Sequence, residues 1–157
     1  MEAKLQIDIV LEAFDPQARV AAFAAGRADA GALVSFVGVC RAATDGTPVR
    51  ELRIDQYPGF TVKEITRLAE DVSVRWECPD LLVVHRVGVI APGDAIVLVA
   101  ALATHRGNAF EAVRILMDYL KTDAPLWKQE HGPQGRRWIE SRPEDCARRI
   151  ALEKEIV

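Results

Sequence analysis

Residues 95–122 read AIVLVAALATHRGNAFEAVRILMDYLKT. Ala95 to Thr104 is a β-rich apolar run, too short to cross a membrane. From Gly107 to about Thr122 the spacing turns helical, with Phe110, Val113, Met117 and Leu120 as the expected buried stripe. Between the two lies Thr104-His105-Arg106. A helix N-terminus offers unpaired N–H groups and the positive end of its dipole, so His105 and Arg106 there form a candidate anion site. Two solvated turn residues are the plainer alternative.

Working toward the N-terminus, Leu81 to Val89 is a second β-rich run, joined to the first by a tight connection at Pro92-Gly93-Asp94. Val62, Ile65, Ala69, Val72 and Trp76 mark a helix, with Thr61 as cap and Glu64 completing a capping box. Leu52 to Tyr57 alternates as a strand and ends at the turn signal Pro58-Gly59. Gly31 to Val39 is an apolar strand, followed by a polar loop from Cys40 to about Val49 broken by Gly46 and Pro48. Lys4 to Val10 alternates as a strand, and Asp15-Pro16 opens a helix through Val20 and Phe23 that stops at Gly26. Toward the C-terminus, Leu126 to His131 and Arg136 to Glu140 read as two short strands joined by a turn at 132–135, and the charged tail from Pro143 as a short surface helix. This order implies an α+β fold with an antiparallel or mixed sheet, because several strands follow one another without a crossover helix.

A chain of 157 residues suits one domain spanning 1–157, the charged tail from about 143 included. The N-terminus lacks the basic start and apolar stretch of a signal peptide, so the expected location is cytoplasmic. A net charge of -3 argues against bulk nucleic-acid binding, so any anion site must be local. The three cysteines, Cys40, Cys78 and Cys146, are widely spaced and fit neither a disulfide framework nor a zinc site. No metal and no cofactor are expected.

Two further clusters carry possible chemistry. Lys121 lies about 40° around its helix from Met117, at the edge of the expected stripe, and Lys128 follows beside Trp127. A lysine half-buried near other cations has its charged form disfavoured and becomes a base or nucleophile near neutral pH. Equally, Lys121 can be a helix-end lysine complementing the dipole. Cys40-Arg41 leaves an apolar strand for a polar loop, a common place for binding residues. Cys40 beside Arg41 is either an activated thiolate or, more simply, a small buried side chain. His85 reads as a structural residue of its strand, and His131 has no assigned role.

The chain also carries an ordered series of short motifs. They are GALVSFVGVCR from Gly31, YPG from Tyr57, HRVG from His85, PGD from Pro92, HR at His105, FEA from Phe110, MDYLK from Met117 and PLWKQE from Pro125. In this order and spacing, over about residues 4–142, the sequence resembles the molybdopterin synthase large-subunit family. The resemblance implies an α/β hammerhead fold with an additional small antiparallel β region. It implies a homodimer that binds a small ubiquitin-like sulfur carrier at each outer end, forming a heterotetramer. The carrier's C-terminal Gly-Gly thiocarboxylate delivers sulfur to cyclic pyranopterin monophosphate, forming the molybdopterin dithiolene.

By motif, the resemblance places the catalytic lysines on Lys121 and Lys128, and anion and substrate binding on Arg41, His105 and Arg106. Phe36 and Met117 match pocket-wall positions. Arg75 and Arg142 resemble further basic pocket positions, with Arg75 reaching across the dimer. Cys40 adds a thiol that this mechanism does not require. The alternatives are a non-catalytic docking module for a ubiquitin-like tail and a Cys-dependent acyl transferase using Cys40 and His105.

Overall fold

The computed structural model describes residues 3–139. Arg142, Cys146 and the tail expected as a surface helix lie outside the described residues. The elements run β1 (Lys4–Val10), α1 (Pro16–Ala24), β2 (Ala32–Val39), β3 (Ala43–Thr44), β4 (Thr47–Pro48), β5 (Glu51–Gln56), α2 (Phe60–Arg75), β6 (Asp80–Arg86), β7 (Gly88–Ile90), β8 (Ala95–Ala103), α3 (Arg106–Thr122), β9 (Leu126–Gly132) and β10 (Gly135–Trp138).

The main sheet has the order β1-β6-β8-β2. β1 runs parallel to β6, whereas β6/β8 and β8/β2 are antiparallel. β8 is apolar at every position because helices cover both of its faces. Val97, Val99 and Ala101 pack with Ile65, Ala69 and Leu116 of α2 and α3. Leu98, Ala100 and Leu102 pack with Phe23 of α1. The strand period of two thus sorts one run of residues into two cores.

The second sheet, β10-β9-β5-β7, is antiparallel throughout. It exists because the run from Leu81 to Val89 is not one strand. The chain turns at Gly88, whose φ of 84 suits glycine, and passes from the main sheet into the second. Two sheets therefore meet at the end of β6, next to the end of α3.

Three further sequence expectations need correction. Within the polar loop 40–49, Asp45 (φ 49) and Gly46 (φ 79) form the tight turn of a β3/β4 hairpin. Thr61 is not the cap of α2. It lies inside the helix, fully buried, where its hydroxyl accepts from the Tyr57 N–H at 3.0 Å and donates to the Pro125 carbonyl at 2.8 Å. Phe110 does not belong to the buried stripe of α3, being 60% exposed. The buried face is built on Ala109, Ala112, Leu116 and Tyr119 instead, since small residues let the helix approach the alanines of β8 closely.

Candidate active site

A cavity of about 140 Å³ opens where the two sheets meet the C-terminal turn of α3. Helical spacing sends Met117, Leu120 and Lys121 into it from one face of α3. Strand alternation does the same for Lys128 and Glu130 on β9. The end of β2 adds Cys40 and Arg41. This corner is pinned by two backbone bonds, Cys40 N–H to the Asp94 carbonyl at 2.9 Å and Gly93 N–H to the Cys40 carbonyl at 2.8 Å. His85 of β6 lines the cavity as well.

The walls set the protonation of what they hold. Burial, and then the charge of Lys121, lower the Lys128 amine to about 8. Burial also pushes His85 down to about 3, helped by Lys128 and, less, by Lys121, against a raising bond to the Arg86 carbonyl. The Cys40 thiol is raised by burial, then by Glu130 and Asp94, so it holds its proton and is a poor nucleophile. Glu130 is held by its neighbours, accepting from the Thr44 hydroxyl at 2.8 Å and from Arg137 at 2.9 Å. A cavity lined by arginine and two lysines, one of them able to shed its proton near neutral pH, can bind an anion and move a proton beside it.

The profile of the family described as MoaE protein matches residues 9–123. The chain belongs to the MoaE family. It is 52% identical to the molybdopterin synthase catalytic subunit of Caulobacter vibrioides, across 84% of this chain and 87% of that one. With the subunit of the same name from Escherichia coli K12 it shares 43% identity, over 77% of this chain and 81% of the other. Among solved structures, the molybdopterin biosynthesis MoaE protein from Burkholderia ambifaria superposes with a TM-score of 0.77 at 41% identity, covering 99% of each chain. Molybdopterin synthase from Staphylococcus aureus superposes with a TM-score of 0.78 at 26% identity, covering 85% of this chain and 96% of that one. The α+β architecture, with its second antiparallel β region, is that of the MoaE structures.

Within this MoaE chain, the expected site residues divide into two groups. Arg41, Met117, Lys121 and Lys128 converge on the cavity. The others do not reach it within one chain. His105 and Arg106 are exposed at the opposite end of α3. Arg106 and Lys121 are fifteen residues apart, or about 22 Å along a helix axis. Phe36 is 41% exposed and lines a separate shallow groove with Phe110, a groove that Met117 also touches. Arg75 ends α2 on the surface, its guanidinium carbon 5.9 Å from the Trp76 ring centroid. Arg142 lies outside the described residues.

Sequence reasoning gave His85 only a structural part and passed over Glu130, and both line the cavity. Both carried a signal in the strand period. His85 follows Leu81 and Val83 on the face that meets the helices, and Glu130 follows Lys128 on the same face of β9. Lysine burial also differs from expectation. Lys121 is exposed, and the lowered amine is that of Lys128, because β9 runs through the junction between sheets whereas Lys121 projects from a helix end.

Proposed function

We propose that this chain is the catalytic subunit of a molybdopterin synthase, moving sulfur from the C-terminal thiocarboxylate of a small ubiquitin-like partner onto cyclic pyranopterin monophosphate. The observation that carries this reading is the convergence of Arg41, Lys121 and Lys128 on one cavity, with the Lys128 amine lowered to about 8. In this reading the partner's tail threads into the cavity and the cationic groups receive its terminal charge. Arg41 pairs with the anionic substrate through a charge-assisted contact. Lys128 takes up a proton as sulfur adds to the pterin side chain, and the charge of Lys121 holds more of its neighbour's amine in the free-base form while also facing the anion. Among the described residues, no group of three or more His, Cys, Asp or Glu side chains is placed to hold a metal.

His105, Arg106 and Arg75 enter this reading through a second copy of the chain. About 22 Å of helix separates Arg106 from the lysines, so these side chains serve a neighbouring cavity in a homodimer rather than their own. Phe36 and Met117 wall the substrate side, and Arg142 adds a further basic group. The assembly is then a heterotetramer of two large and two small subunits. The chain functions as one domain, residues 1–157. No helix among the described residues is long and apolar enough to cross a membrane, and we place the protein in the cytoplasm.

The test is reconstitution. Purified chain is mixed with the cyclic pterin, first alone and then with a thiocarboxylated partner. Dithiolene product forms only with the intact tail. Product formed without the partner, or with a partner lacking its final Gly-Gly, contradicts the reading.

A further inference from the structure

His85 sits on β6, 1% exposed, on the strand face that meets α3. Its Nδ1 lies 2.9 Å from the Arg86 carbonyl oxygen. A carbonyl only accepts, so Nδ1 carries the ring proton and Nε2 keeps its lone pair. The ring lines the cavity, and with Nδ1 committed to the backbone, Nε2 is the polar atom it has to offer there. The cavity's other nitrogen groups, Arg41, Lys121 and Lys128, are donors when charged. Beside the Glu130 carboxylate, Nε2 is a neutral acceptor set among cationic donors, which leaves it a narrow set of uses.

The groups around it narrow the set further. Lys121 comes from α3, Lys128 and Glu130 from β9, Cys40 and Arg41 from the end of β2. The Arg41 guanidinium offers donors and no acceptor. The Cys40 thiol is raised and stays protonated. Glu130 is already engaged by Thr44 and Arg137. His85 itself resists protonation, because burial and the two lysines hold it near 3. Of the two lysine charges acting on the ring, that of Lys128 is the larger.

We propose that His85 is a positioning residue for Lys128, its Nε2 accepting a hydrogen bond from the Lys128 ammonium when that amine takes up a proton in the reaction. This rests on the reading of Lys128 as the proton acceptor. The ring neither gains nor loses a proton. The proton taken from the reacting groups stays on Lys128, and Nε2 fixes where the resulting ammonium points. Being neutral, the ring does this without adding a third repelling charge to the pair of lysines.

The test compares two substitutions that separate the ring's two nitrogens. His85→Asn keeps a donor near the Nδ1 position for the Arg86 carbonyl but loses Nε2. His85→Gln places an amide oxygen within reach of the Nε2 position. Thermal unfolding establishes that both fold, and His85→Met, of similar reach and weak accepting power, replaces Asn should that variant not fold. The readouts are kcat and KM for the pterin in the reconstituted complex, and the titration of the Lys128 side chain by NMR on the free chain.

In His85→Asn, kcat on the plateau above pH 8, where Lys128 is free base in both proteins, falls by about tenfold with little change in KM, and the Lys128 midpoint drops by roughly one pH unit, since losing an acceptor disfavours the ammonium. His85→Gln recovers both. An unmoved Lys128 midpoint in the Asn variant, or a Gln variant as impaired as Asn, overturns the proposal in favour of simple packing. The titration needs no substrate, so a wild-type chain silent in sulfur transfer fails the functional reading alone.

Discussion

The two ends of α3 carry similar basic residues in different surroundings. At its N-terminus, His105 and Arg106 stand exposed over a helix end with no side-chain cap. At its C-terminus, Lys121 faces Lys128 across a cavity roofed by two sheets, and the Lys128 amine is lowered to about 8. The first end can attract an anion from solvent. At the second, burial and a neighbouring lysine lower an amine. Charge alone therefore does not mark the end proposed to be reactive. Burial beside a like charge does.

The largest effects should come from the buried end. Replacing Lys128 or Lys121 by alanine should cost about 10²–10⁴-fold in sulfur transfer, the range for removing a group that moves or supports the moving of a proton. The fold should persist, as circular dichroism and thermal unfolding would show. Lys128→Arg should not rescue, because a guanidinium does not supply a free base. Near-normal turnover in Lys128→Ala would erase the distinction between the two ends.

Next in size is the anion contact. Arg41→Ala should weaken pterin binding by about 1.5–3 kcal/mol, measured by calorimetry. Arg106→Ala should do the same only through the second copy. Mixing Lys128→Ala with Arg106→Ala chains sharpens the point. If the two ends of α3 serve different cavities of one dimer, each mixed dimer regains one intact site and activity returns. No recovery on mixing would place both residues in the same chain's chemistry, against the length of the helix.

A smaller effect concerns stability. His85 stays neutral in the fold down to about 3, whereas an unfolded chain's histidine takes a proton near its ordinary 6.5. Between those values the unfolded state binds more protons. Stability from this group is therefore intact above 6.5 and lost as pH falls toward 3, on the order of 1–3 kcal/mol. Denaturation at pH 7 and pH 4 would read it, and His85→Gln should flatten the difference. The smallest effect is that of Cys40→Ala, which should leave sulfur transfer near wild type, because the thiol is protonated and the sulfur arrives on the partner. A loss as large as that of Lys128→Ala would revive a cysteine-based mechanism.

Much of this was legible before any coordinates. The apolar run of β8 and the helical period of α3 specify their elements, and the Asp15-Pro16 cap is realised as read, its carboxylate accepting from Gln17 and Ala18. The split at Gly88 was not legible, since an apolar run looks the same whether it stays in one sheet or crosses into another. The Asp45-Gly46 turn was legible and passed over inside a polar loop. Phe110 misled because size suggests burial, while the close approach to β8 selects Ala109 and Ala112. Periodicity placed Lys121 at the edge of a stripe and the sequence grouped it with Lys128, and the motif resemblance made both of them catalytic positions. No sequence pattern showed which of the two would be buried. That depends on β9 pairing with β5, Lys128 opposite Ile54, which brings the lysine under the sheet junction.

The central claim is that Lys128 moves the proton from a lowered amine. The direct measurement is the pH dependence of single-turnover dithiolene formation with saturating thiocarboxylated partner. Its amine is lowered from 10.5 to about 8, so the free base grows tenfold per pH unit below that value and levels off above it. The rate should climb with pH, reach half its plateau near pH 8 and level off above it in the wild type, and Lys128→Ala should lose that limb. A rate flat from pH 6 to pH 9, or a limb unchanged in Lys128→Ala, would contradict the account.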